Sequence, residues 1–218
     1  MRVPVSAHTD RPWRIHEITP DFRVEDVWVY RTPGAGADDF PTMIAALRAT
    51  NRPEHVDQVT RLLFSVRWRL GALLGWDRAD QAVGGRIPSL RDRLPDDLRA
   101  LPGVDDPRVP FTPVYELPDE KAIELANQTV HAVCHLSWVP AADGDYELHM
   151  AALVKPNGRL GRAYLAAIKP FRYLFVYPLM TRRWERAWRD REKLCRDDAA
   201  PTSTPSAAGT AWPGRRRA

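Results

Sequence analysis

Residues 158–191 read GRLGRAYLAAIKPFRYLFVYPLMTRRWERAWRDR, and this stretch decides how the rest of the chain is understood. Tyr164, Ile168, Phe171, Phe175 and Leu179 follow at steps of four, three, four and four, the spacing that lines large side chains along one side of a helix. Such a side requires a partner. Arg162, Lys169, Arg172, Arg183 and Asp190 fall within a wedge of roughly 100° on another side, so the expected helix also carries a wet stripe. A membrane span is excluded, because Arg159, Arg162, Lys169 and Arg172 would each be costly at the centre of a bilayer. Pro170 and Pro178 each lack an N–H and crowd the carbonyl four residues back, so a kink or a restart is expected there.

Working outward, the preceding segment changes to a period of two. Stretches 111–117, 122–127, 129–139 and 146–155 read as strands with short breaks, which implies antiparallel neighbours. In the last two, the even-numbered Ala132, Cys134, Leu136, Trp138, Tyr146, Leu148, Met150 and Ala152 make an apolar face. The odd-numbered set includes His131, His135, Ser137, Glu147, His149 and Lys155. One face is therefore expected to be covered by helices and the other to be wet. A further strand is expected over 24–31, closed by Pro33 and Gly34. Two helices then follow, over 40–49 and from Pro53 to about Leu74. Residues 77–110 read as an irregular connection with one helical turn at 95–99.

The chain of 218 residues, 44% hydrophobic and 28% charged, is long enough for one well-filled core. The boundaries read as an extension over 1–21, a domain over 22–195 and a disordered tail over 196–218, where Pro, Ala, Ser and Thr dominate. The net charge of +4 does not mark a nucleic-acid binder, because the cations are spread along the chain among 28 acids. The N-terminus has no apolar run of signal-peptide length, which gives a cytoplasmic location as the expectation. No Walker loop, G-x-S-x-G elbow or dinucleotide fingerprint is present. His131 and His135 lie about 13 Å apart on one strand, too far to share an ion, so neither a metal nor a cofactor is expected. His149 would face His135 if the hairpin were centred on Ala142.

A strand, two helices, a run of antiparallel strands and a long terminal helix together resemble the START-like helix-grip fold of the SRPBCC superfamily. A narrower likeness lies in His135-Leu136-Ser137-Trp138, Tyr146-Glu147-Leu148-His149-Met150, Gly161-Arg162-Ala163-Tyr164 and Ile168-Lys169-Pro170-Phe171-Arg172. This series is similar to the bacterial domain of unknown function 2867 family, with Arg172 standing where a His is frequent. The resemblance implies an α+β fold in which a curved sheet wraps around the last helix, with a cavity between them. On that reading Trp28, Tyr115, Cys134, Trp138, Tyr146, Met150, Tyr164, Ile168, Phe171 and Phe175 line a site for a hydrophobic or aromatic small molecule. By analogy with enzymes on the same superfold, a cofactor-independent cyclase or dehydratase is the alternative, with Asp26, Tyr164 and Arg172 as acid, base and anion-steering group. A third reading gives a peripheral membrane or partner contact to Arg182, Arg183, Arg186, Arg189 and Arg191, interleaved with Trp184 and Trp188. Against it, Glu185, Asp190 and Glu192 dilute the charge, as in a solvated final turn.

Overall fold

The computed structural model describes residues 1–51, 87–101, 109, 111–127 and 129–199. Six strands, β1 (Arg2–Val3), β2 (Arg23–Tyr30), β3 (Thr112–Glu116), β4 (Glu120–Ala126), β5 (Val130–Pro140) and β6 (Tyr146–Pro156), form one sheet. Their order is β1-β2-β6-β5-β4-β3, and every neighbouring pair is antiparallel. The helices are α1 (Ser6–Thr9), α2 (Ile15–Ile18), α3 (Phe40–Thr50), α4 (Asp96–Arg99), α5 (Gly158–Phe171), α6 (Tyr177–Arg189) and α7 (Arg191–Ala199). The second helix expected from Pro53 lies outside the described residues, and so does the expected 196–218 tail except for its first four residues, which belong to helix α7.

The hairpin turns follow from local chemistry. Asn127 Oδ1 accepts from the Thr129 and Val130 amides at 2.9 and 3.0 Å, an Asx turn that reverses the chain between β4 and β5. Gly144, at φ +92°, closes the loop between β5 and β6 in a conformation disfavoured for side-chain-bearing residues. Pro140 pairs with Tyr146, so this hairpin is centred on Asp143 rather than Ala142. His149 consequently sits opposite Ser137, and Ala151 opposite His135.

One face of the sheet presents Trp28, Tyr30, Cys134, Leu136, Trp138, Tyr146, Leu148 and Met150, as the alternation predicts. Helix α3 covers it with Phe40, Met43, Ile44 and Leu47, and α6 with Tyr177, Trp184, Ala187 and Trp188. Burying side chains of this size is worth about 1.5–3 kcal/mol each, so this layer carries much of the fold's stability.

The opposite face corrects the expectation of a wet surface. His131, His135, Ser137 and His149 are all buried, His135 completely. Ile15 and Ile18 of α2 and Leu90, Leu94 and Leu98 cover this side of the sheet, clustering with Val27, Ala122, Val133, Ala151 and Leu153. Residues 1–21 are thus part of the packed molecule: β1 extends the sheet, and α1 and α2 help to roof it.

The C-terminal helical stretch is continuous through both prolines. Between α5 and α6 the backbone runs as a π-helix over Arg172–Val176. Pro170 and Pro178 cannot donate to the carbonyls four residues before them, and the wider i→i+5 winding lies between these two missing donors. The phase of the helix shifts there, and the Phe171–Phe175 part of the expected aromatic stripe does not face the sheet, Phe171 already standing outward within α5. Only Gly161 and Leu165 of α5 are buried, while Phe171 and Phe175 are 38% and 50% exposed and pack on each other at 5.5 Å between ring centres.

Candidate functional site

Asp26 stands on β2 on the same side as Trp28 and Tyr30, a carboxylate among aromatic neighbours, and is fully buried. A charge in that position requires partners. The strand pairing with β6 shifts register between Val24 and Asp26, and the π-helical segment packs directly above. Arg172 donates from Nη2 to Asp26 Oδ2 at 3.0 Å, and the Tyr177 hydroxyl donates to the same oxygen at 3.0 Å. Tyr173 donates its hydroxyl to Oδ1, and Arg2 Nε lies 3.6 Å from that oxygen. Arg172 also bonds the Tyr177 hydroxyl. Bulges in strands and π-turns in helices both re-aim side chains and recur at functional sites; here one of each meets at a single carboxylate.

The phenols are held in their protonated form. Burial, reinforced by the bond to Asp26, pushes Tyr173 up to about 12. Burial likewise raises Tyr177, against the opposing pull of Arg172. At neutral pH both are proton donors, not bases. Tyr177 stacks on Trp28 at 4.3 Å between ring centres, and the Trp28 indole N–H is buried with no hydrogen-bond partner among the described residues.

The structure brings together some of the sequence candidates and separates others. Asp26 and Arg172 meet, whereas Tyr164 packs with Val130, Val154 and Leu165 in a separate small cluster, together with Ile168. The tyrosines at Asp26 are Tyr173 and Tyr177, neither of which falls on the helix side that the spacing marks out. Trp28, Cys134, Trp138, Tyr146 and Met150 share the layer between sheet and helices. Tyr115 lies in the core on the opposite face, and Phe171 and Phe175 point outward. At the Arg/Trp end, Trp188 is 1% exposed and donates to the Pro33 carbonyl at 3.0 Å, while Trp184 packs against Tyr30 at 4.6 Å. Both indoles belong to the core rather than to an interaction surface.

The histidine face holds a second polar cluster. Glu120 and Glu124, on β4, each accept from a histidine of β5: His135 Nε2 to Glu120 at 2.7 Å and His131 Nε2 to Glu124 at 2.7 Å. Each carboxylate also grips a covering segment. Glu120 accepts from the Arg14 amide at 3.0 Å and from the Tyr115 hydroxyl at 3.1 Å; Glu124 accepts from the Ser89 hydroxyl at 2.5 Å and the Leu90 amide at 3.1 Å. Burial alone would raise Glu120, but these donors outweigh it and hold its carboxyl below the usual range.

Burial lowers His135 even against the carboxylate, so its Nε2–H donates to Glu120 and its bare Nδ1 accepts from His8 Nε2 at 3.0 Å. His8 Nδ1 is then a buried acceptor without a partner among the described residues, and burial takes His8 down to about 3. Strand–histidine–cover bonds of this kind explain the cluster as clamps that seat the N-terminal segment and the 89–98 stretch on the sheet. No group of three or more His, Cys, Asp or Glu among the described residues is placed to hold a metal ion. No helix among them is long and apolar enough to cross a membrane.

Comparison with curated proteins and with solved structures finds no match. The family model described as protein of unknown function (DUF2867) matches residues 18–179, which run from the end of α2 into the first turn of α6 and take in Asp26, Arg172, Tyr173 and Tyr177. The chain belongs to that family.

Proposed function

We propose that this protein binds a small molecule with an aromatic or apolar body and a hydrogen-bond-accepting or anionic group, between the sheet and the C-terminal helix, in a helix-grip arrangement. The observation that carries the reading is the buried Trp28 indole N–H without a partner, beside a carboxylate ringed by Arg172, Tyr173 and Tyr177. A donor left unpaired in that setting costs about 1–3 kcal/mol, which an acceptor on a ligand would recover. Trp28, Cys134 and Met150 supply the apolar wall, and half-exposed Arg2 with partly exposed Arg172 forms the solvent side of the cluster. A cytoplasmic setting belongs to the same reading.

The test is native mass spectrometry of the purified protein together with thermal-shift measurements against aromatic carboxylates and medium-chain fatty acids. A co-purifying small molecule, or a rise in Tm that Trp28→Phe and Arg172→Ala both diminish, supports the reading. Neither a bound mass nor a shift with any compound in the wild-type protein would refute it.

The protonated phenols favour a second reading, cofactor-independent acid–base catalysis of the cyclase or dehydratase kind. Tyr173, bonded to Asp26 and partly open to solvent, would be the proton donor, and Arg172 would steer an anionic substrate. Under this reading Tyr173→Phe lowers kcat on a turned-over ligand with little change in KM. An unchanged kcat would leave binding alone.

A further inference from the structure

Helix α5 has three faces, and only one of them meets the sheet. Gly161 and Leu165 are buried, with Tyr164 and Ile168 half-buried beside them. At 100° per residue, Leu160, Ala163, Ala167 and Phe171 fall within roughly 80° on a second face, and all four are exposed. Arg159, Arg162, Ala166 and Lys169 fall within roughly 80° on the third, also exposed. The apolar face continues into the π-helical segment as Leu174 and Phe175. Leu160, Leu174 and Phe175 are 60%, 69% and 50% exposed, large values for side chains of that size gathered on one ridge.

Charge separates this ridge from the rest of the molecule. Residues 158–184 contain no Asp or Glu but six cations, in a chain that has 28 acids elsewhere. The basic face borders an open groove of about 350 Å³ between α5 and the start of β2, lined by Arg23, Glu25, Arg162, Leu165, Ala166 and Lys169. Glu25 is engaged by Arg23 at 3.1 Å and Lys169 at 3.3 Å, so two cations share one carboxylate, and Arg162 lines the same groove as a third positive charge. An apolar face of Leu and Phe flanked by Arg and Lys, on a helix lying along the protein surface, is the pattern of helices that sit in the plane of a membrane interface.

We infer that the apolar ridge Leu160–Phe171–Leu174–Phe175 and the adjoining Arg159, Arg162 and Lys169 dock this protein onto an anionic lipid surface. The ridge enters the headgroup region while the cations meet lipid phosphates, the groove at Arg23 and Arg162 taking one headgroup. This surface is distinct from the Arg/Trp end of α6, where Trp188 is buried and Trp184 half-buried against the core, and it does not depend on the ligand reading above.

The test uses full-length protein and sedimentation with phosphatidylcholine vesicles, with and without phosphatidylglycerol. Wild-type protein should pellet with the anionic vesicles, less so as salt rises, and not with phosphatidylcholine alone. Leu174→Asp with Phe175→Asp should weaken binding about tenfold or more, and Arg162→Glu with Lys169→Glu comparably. These four side chains are not in the main core, and circular dichroism of each variant checks that the fold is kept. No pelleting of the wild type, or pelleting unaffected by the aspartates, overturns the inference. So does a wild-type dimer that the aspartates convert to a monomer in size-exclusion chromatography, which would assign the ridge to a second copy of the chain.

Discussion

Asp26 is the residue whose removal should be felt most. Asp26→Ala leaves the Arg172 guanidinium and two phenols without their common acceptor, and breaking a buried ion pair from one side costs about 3–5 kcal/mol. At about 2–4 °C per kcal/mol for a protein of this size, Tm should fall by roughly 6 °C or more. Denaturation in urea of the single and double variants with Arg172→Ala should show strong coupling; simple additivity would mean that the pair does not act as a unit. Gly161 supplies a second test. A Cβ there would lie 2.1 Å from the Thr129 carbonyl oxygen, a backbone atom that cannot swing aside, so Gly161→Ala should cost about 1–3 kcal/mol or more. Thermal melts that superimpose on wild type would contradict the close approach of α5 to the turn between β4 and β5. Asp26 is singled out from the sequence only by analogy with enzymes on the same superfold. Its tyrosine partners are not singled out at all, because Tyr173 and Tyr177 lie where the helix changes phase between two prolines.

At the level of elements, long alternating runs told their story and short ones did not. The five strands from Arg23 to Pro156 and helix α3 lie within about two residues of where period and turn chemistry put them. Helices α1 and α2, four residues each, are too short to show any period. Tertiary bonds hold them in place, chiefly the Arg14 amide on Glu120 and His8 on His135. Alternation also says which side chains share a face without saying what covers it. Alternation alone therefore places His131 and His135 on a wet face, whereas carboxylates two residues out of register on β4 satisfy them in the interior. Deleting residues 1–18 should uncover this histidine face together with Val27 and Ala151. The truncated protein should bind a hydrophobic dye such as ANS and lose cooperative unfolding, whereas a sharp two-state melt would show that the segment is dispensable.

For the molecule as a whole, buried histidines set the response to acid. Burial lowers His8 to about 3 and His149 to about 4 from 6.5 in the unfolded chain, and lowers His135 as well. The unfolded chain therefore binds more protons than the folded one as pH drops below 6.5. Stability from these groups is complete above that pH and is lost on the way toward 4. Each contributes up to about 1.4 kcal/mol per pH unit in that window. Glu120, held below 4.5, adds its own loss only at lower pH. Urea midpoints followed from roughly pH 7 to 5 should decline, and His8→Gln should flatten the slope by about one proton's worth. A flat profile in the wild type would mean that these imidazoles are hydrated in solution.

The strand order has a further implication for how the protein comes into being. Strand β2, made early, finds its main hydrogen-bonding neighbour in β6, with Arg23 opposite Val154. On the ribosome the first long strand must wait, one edge unclaimed, until most of the polypeptide has emerged. Assembly is then governed by closure over a great sequence distance, which slows folding and leaves that edge open to mispairing in the interval.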